Sequence, residues 1–195
     1  TDQDNAILYG DDLSAGDISR VETFSEALID ALIEVGVPPC PGGIMAKNDF
    51  WRRSLSQWQE ALFSWLKNPT PENILNGRMF FDLRTLYGDA SLEQELKRQL
   101  ADFFSSDQMF LTRLAGNLLR FKPPIGFFGQ FKTSRDKAHR GQIDVKKAGI
   151  FAITEGVKAL AMEAGIMNGG TRERMARLLK KGILDQVVAD DLEAS

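Results

Sequence analysis

The sequence predicts a mainly α chain of the α+β class: a small α/β unit over residues 1–49, then an antiparallel helical bundle over residues 50–195. Three observations lead there. Apolar residues recur every three or four positions through most of the chain, the period of a helix face. Gly and Pro cut these runs into amphipathic segments of about 10–20 residues with short connections, which favours antiparallel neighbours. Only near the N-terminus do short apolar runs have strand character.

The first such run is Asn5-Ala6-Ile7-Leu8-Tyr9, ended by the turn signal Gly10-Asp11-Asp12. Val21, Phe24, Leu28, Leu32 and Val35 then mark a helix over residues 18–35, with Gly36 as its C-terminal cap and Pro38-Pro39 forbidding continuation. Ile44-Met45-Ala46, after a rigid Pro/Gly loop, reads as a second short strand. From Phe50 the pattern is helical. Trp51, Leu55, Trp58, Leu62 and Trp65 alternate spacings of four and three, one continuous helix face holding all three tryptophans, and a bundle core explains it better than an aromatic ligand box. Thr70-Pro71-Glu72 is an N-terminal cap signal for a helix closed by Gly88, which puts Phe80-Phe81-Asp82-Leu83-Arg84 inside the helix. Leu92, Leu96, Leu100 and Phe103 mark the next helix. Phe110, Leu114, Leu118 and Phe121 mark another, capped by Ser106 or Asp107. Residues 122–142 read as a long ordered loop. Ile150, Ile153, Val157, Leu160 and Ala164 build a helix ending at Gly165. Thr171 caps one that stops at Gly182, and a short last helix covers residues 185–193.

Composition narrows the function classes. At 43% hydrophobic residues the chain is too apolar for a disordered one. Its longest apolar stretches fall far short of the roughly 20 residues that span a bilayer, and no secretory leader opens it, so no membrane partner is expected. One cysteine, Cys40, excludes an internal disulfide framework and suits a reducing cytoplasm. With one histidine, His139, neither a classical zinc site nor a Cys–His dyad is expected. The chain opens on Thr1 and runs straight into acidic residues, which suggests a piece of a longer protein.

Charge is unevenly placed. Residues 120–147 hold eight basic residues against Asp136 and Asp144, a net +6 in a chain of net −3. Phe127, Phe128 and Phe131 interleave with Lys132, Arg135, Lys137 and Arg140 there. This mixture suits a nucleotide's phosphates, an acidic partner protein or single-stranded nucleic acid. A solvated loop anchored by buried phenylalanines is the structural alternative. Asp144 and Lys147, one helical turn apart, read as a first-turn pair. The acidic counterpart is Asp2-Gln3-Asp4, at the head of the first strand. Alternation places Asp2 and Asp4 on one face and Gln3 on the other. Two such carboxylates can jointly hold a hard cation such as Mg²⁺, although most Asp-x-Asp pairs are only solvated. Gly42-Gly43 lacks the Lys-Ser/Thr that a phosphate loop requires.

Thr1-Asp2-Gln3-Asp4-Asn5-Ala6-Ile7-Leu8-Tyr9 resembles the second half of the catalytic motif in a bacterial family of putative nucleotidyltransferases. The resemblance continues through Cys40-Pro41-Gly42-Gly43-Ile44-Met45-Ala46-Lys47-Asn48 with Trp51, Phe80-Phe81-Asp82-Leu83-Arg84 with Gly88-Asp89, Pro123-Pro124-Ile125-Gly126, and Ile143-Asp144-Val145-Lys146 with Gly149. It implies that residues 1–49 are the C-terminal half of a nucleotidyltransferase α/β domain, and residues 50–195 a helical substrate-binding domain. Members are related to signal-protein uridylyltransferases and are usually joined to CBS and cyclic-nucleotide-binding modules. The resemblance further implies Asp2 and Asp4 as catalytic, Mg²⁺-holding residues. Asp82 is a candidate third carboxylate, weighed against a plain ion pair with Arg78. The family's earlier strand carries a Gly-Ser turn that cradles the triphosphate, and no Gly-Ser dipeptide occurs in these 195 residues.

Two function classes follow. In the first, the protein transfers a nucleotidyl group from a nucleoside triphosphate to a protein or small acceptor, using Mg²⁺ on Asp2 and Asp4. Lys132, Arg135, Arg140 and Lys147 then bind the substrate, and the 195 residues by themselves are expected to be inactive. In the second, the chain is a non-catalytic regulatory or interaction module of a CBS-domain signalling protein. A nucleic-acid partner is disfavoured in both, and a homodimer is left open.

Overall fold

The computed structural model describes residues 3–119, 133, 139–143 and 149–194. Among them are two strands and eight α-helices: β1 (Ile7–Tyr9), α1 (Ala15–Glu34), β2 (Arg52–Ser54), α2 (Leu55–Lys67), α3 (Pro71–Phe81), α4 (Ala90–Ser106), α5 (Met109–Leu118), α6 (Phe151–Glu163), α7 (Thr171–Lys180) and α8 (Gln186–Ala194). The expected mainly α class is observed. No described helix is long and apolar enough to cross a membrane. The chain groups into two compact units, Thr1–Ser64 with Leu83–Gln99, and Trp65–Asp82 with Leu100–Ser195.

The first unit is built on a β–α–β path. β1 and β2 pair in parallel, with Ile7 opposite Arg52, Leu8 opposite Arg53 and Tyr9 opposite Ser54. Parallel neighbours need a crossover between them, and α1 supplies it. The Ser14 side chain accepts from the Asp17 amide at its start, and Gly36 adopts φ 89° just past its end. Ile29 of α1 packs with Cys40 and Met45, against which Leu32 and Ile44 lie.

The second strand is not where the apolar run placed it. Ile44-Met45-Ala46 forms turns: Gly43 takes φ 70°, the Met45 amide bonds the Gly43 carbonyl, and the Asn48 amide bonds the Met45 carbonyl. Ile44 gives the N-terminal segment one carbonyl, accepting from the Asn5 amide at 3.1 Å. Residues 52–54 pair with β1 instead, within a stretch expected to be almost wholly helical. A 3-10 turn at Asp49–Trp51 precedes them, so the tryptophan helix begins at Leu55 rather than Phe50. Asp11 helps fix that start, accepting from the Ser56 amide and hydroxyl at 3.0 and 2.7 Å. The core reading of the stripe holds: Trp51, Trp58 and Trp65 are 7%, 0% and 6% exposed.

The second unit is helical. α5 packs on α3 and α6, α7 on α6 and α8. Its buried residues include Leu66, Phe80, Phe81, Phe104, Phe110, Leu114, Val157, Met162, Met175 and Leu178. Thr70 caps α3 as expected, accepting from the Asn73 amide. α3 is shorter than expected, however, stopping at Phe81 with Asp82 as its C-cap, while Gly88 lies beyond with φ 101°. Two caps shift by a residue or more. Gly170, not Thr171, precedes α7, its amide donating to Glu173. Gln108 precedes α5, with Asp107 accepting from the Met109 amide. Gly165 and Gly182, both at φ 69°, follow α6 and α7 where sequence placed the ends.

Candidate functional site

Of the two carboxylates expected to hold a metal, the structure describes Asp4. Gln3 is buried, its amide donating to the Pro38 carbonyl and its side chain to the Val37 carbonyl. The Asn5 amide group donates to Gln3 Oε1 at 2.8 Å, while Asn5 Oδ1 accepts from the Ala46 amide at 2.8 Å. These two polar side chains clasp the loop after α1, and Asp4 between them is exposed. The expected alternation therefore holds at Gln3, Asp4 and Asn5. The segment lies just ahead of β1, not within it. Asp2 is outside the described residues.

Behind this edge sits Arg52, which sequence reading passed over. Its guanidinium is buried and donates to Ser25 Oγ at 3.1 Å and to the carbonyls of Ala46 and Lys47, each at 2.9 Å. It also pairs with Glu22 and Asp49. Arg52 thereby holds the 40s loop that Asn5 grips from the other side. Asp49, three residues before it, is its one local sign; its other partners lie between residues 22 and 47.

The second unit contains a buried ionic cluster. Asp82 at the end of α3 gives one oxygen to Lys158 Nζ at 2.6 Å and the other to Arg174 Nη1 at 2.7 Å. Lys158 also holds Glu155 at 2.8 Å, and Arg78 reaches Glu155 at 3.4 Å. The Arg174 guanidinium lies over the Phe81 ring at 4.6 Å, and that of Arg78 over Phe151 at 4.8 Å. Glu155, Lys158 and Arg174 are buried, and taking three charges out of water is costly unless each is paired. The expected Arg78–Asp82 pair is not what forms: Arg78 turns to Glu155, because Asp82 is a helix cap held by α6 and α7. The sequence carried one overlooked sign of the cluster, Glu155 and Lys158 three apart in a helix otherwise uncharged as far as Glu163.

The remaining candidates divide simply. Arg140 is described and exposed, whereas Lys132, Arg135 and Lys147, with the Asp144–Lys147 pair and the three loop phenylalanines, are outside the described residues. His139 is exposed, with Nδ1 3.3 Å from Gln142 Oε1. Among the described residues no group of three or more His, Cys, Asp or Glu is placed to hold a metal.

Residues 1–72 match the family model described as "Putative nucleotidyltransferase DUF294", and residues 108–195 match "Putative nucleotidyltransferase substrate binding domain". No curated protein and no solved structure matches the chain.

Proposed function

The chain belongs to the putative nucleotidyltransferase family and carries that family's substrate binding domain, and we propose that it is part of an Mg²⁺-dependent enzyme moving a nucleotidyl group from a nucleoside triphosphate to a protein or small acceptor. The observation that carries this reading is the outward carboxylate of Asp4 between two inward amide side chains. In the sequence Asp2 stands two positions away, in step with Asp4 on a strand's two-residue period.

The donor chemistry fits a hard cation. Asp4 offers an exposed carboxylate, whereas both Asp82 oxygens already face cations, so Asp82 would have to exchange partners to join a metal set. Asp2 and Asp4 would hold Mg²⁺, which would neutralise the triphosphate and orient it. The chain's own task at this edge is positional. Gln3 and Asn5 tie the strand entry to the loops behind it, so the carboxylate between them is presented from backbone that is pinned on both sides. The basic residues Lys132, Arg135, Arg140 and Lys147 would bind the polyanionic substrate, since a negative edge alone repels it. Attached CBS and cyclic-nucleotide-binding modules, a cytoplasmic signalling role and a homodimer belong to the same proposal.

The test uses the full-length protein and labelled nucleoside triphosphates with and without Mg²⁺. Asp2→Asn or Asp4→Asn should abolish Mg²⁺-dependent transfer while circular dichroism and thermal unfolding stay unchanged. Near-normal rates in both variants would remove these residues from the reaction and favour a non-catalytic regulatory module.

A further inference from the structure

The geometry points to a second anion seat, in which the Asp82 carboxylate stands where a phosphate group of a ligand would bind, on Lys158 and Arg174. The two cations are fixed from other elements, Lys158 from α6 and Arg174 from α7, and their side chains are 10% and 6% exposed. The carboxylate that joins them is the mobile partner by comparison. It is 44% exposed and sits on the cap residue of α3, followed by irregular chain. Two buried donors from different helices that converge on one replaceable, solvent-facing anion constitute a receptor for an oxyanion.

Charge decides which oxyanion. Arg78, Lys158 and Arg174 against Glu155 and Asp82 leave the cluster at +1. With Asp82 swung out it becomes +2, which a phosphate monoester or inorganic phosphate neutralises at neutral pH and a monocarboxylate does not. A second observation agrees. Arg174 Nε is buried and has no hydrogen-bond partner among the described residues, so the carboxylate leaves donor capacity unused. A tetrahedral anion brings more acceptor oxygens than a carboxylate. Stacking on Phe81 and Phe151 holds the two guanidiniums in place beforehand, which lowers the ordering cost of binding.

Lys158 and Arg174 lie within the substrate binding domain match, whereas Arg78 and Asp82 lie outside both matched ranges. The ligand assignment, a phosphate-bearing substrate, rests on the nucleotidyltransferase reading. The anion seat itself does not, and phosphate binding is measured without any transfer reaction. The two can therefore fail separately.

The experiment follows thermal unfolding of the full chain in inorganic phosphate and, at matched ionic strength, in acetate. Asp82→Asn removes the internal competitor, so it should tighten phosphate binding about tenfold, seen as a larger rise in Tm at each phosphate concentration. Acetate should not reproduce the rise. Adding Arg174→Gln to Asp82→Asn should return the phosphate response to the wild-type level, which separates this seat from any other basic surface. Equal phosphate responses in wild type and Asp82→Asn, or a response in the double variant as large as that of Asp82→Asn, would overturn the proposal. Should Asp82→Asn fold poorly in plain buffer, phosphate but not acetate should restore its refolding yield, and no recovery would equally overturn it.

Discussion

Trp58 ties the first strand to the helix that follows the second. Its indole N–H donates to the Ile7 carbonyl at 3.1 Å, and the ring is fully buried beside Trp51, centroids 5.9 Å apart. Trp58→Ala should cost about 3–5 kcal/mol in chemical denaturation, through lost burial and the cavity left behind. Trp58→Phe should cost less, since it keeps an aromatic ring in the core and loses only the hydrogen bond to the Ile7 carbonyl. A loss near zero for Ala would mean the indole is not a core element. The stripe that announced this residue is apolar spacing, legible in sequence; the strand carbonyl it serves is 51 residues away and is not. Glu93 makes a different prediction. Burial disfavours its charge, but hydrogen bonds from Lys97 and Thr85 outweigh that and hold its carboxyl below the ordinary carboxylate value. Protonating it costs the native state more than the unfolded chain. Its stabilisation is therefore complete above the ordinary value and drains as pH falls through the lowered native one. The Tm difference between wild type and Glu93→Gln should be largest near neutral pH and shrink in acid. A difference independent of pH would deny Glu93 this role.

At the level of elements, α3 shows propensity and packing in opposition. Gly77 sits in the middle of that helix, where Ala would ordinarily gain about 1 kcal/mol. A Cβ there would meet Phe110 Cζ of α5 at 2.9 Å. Phe110 is fully buried, with Phe104 against it at a centroid distance of 5.9 Å, so its ring has little room to retreat. Gly77→Ala should therefore destabilise by about 1–3 kcal/mol despite the better helix former. Combining it with Phe110→Leu should recover part of the loss, read as a non-additive double-mutant cycle. A more stable Gly77→Ala would show that the two helices can part. Helix ends were legible where a left-handed glycine directly follows the helix, as at Gly36, Gly165 and Gly182. The end of α3 was misread because no glycine marks it: Asp82 stops the helix, and its reason lies on α6 and α7.

Over the whole molecule, the reading of function depends on what these 195 residues can assemble by themselves. They contain no Gly-Ser dipeptide, the turn that the family resemblance assigns to the triphosphate. The 195 residues alone should therefore release no labelled product from any nucleoside triphosphate, with or without Mg²⁺, while remaining folded by circular dichroism. Measurable transfer would show that the triphosphate is held by groups other than a Gly-Ser turn. This outcome is independent of the phosphate seat at Asp82, which should bind inorganic phosphate in the same preparation.

Periodicity, caps and turn glycines act within a few residues, so the order of helices, the buried tryptophans and the outward Asp4 could all be read along the chain. The ordered motifs also sufficed to indicate the family. Strand pairing and ion pairing are settled between residues far apart. β2 lies at residues 52–54, where Arg52 meets two carbonyls of the loop and one hydroxyl of the helix before it, while the more apolar residues 44–46 turned. Asp82 left its helical neighbour Arg78 for Lys158 and Arg174, 76 and 92 positions onward, because buried Arg174 would otherwise lack a counter-charge and Lys158 would share Glu155 with Arg78 alone. The free energy of a buried charge depends on what surrounds it in three dimensions, and spacing along a chain does not encode that.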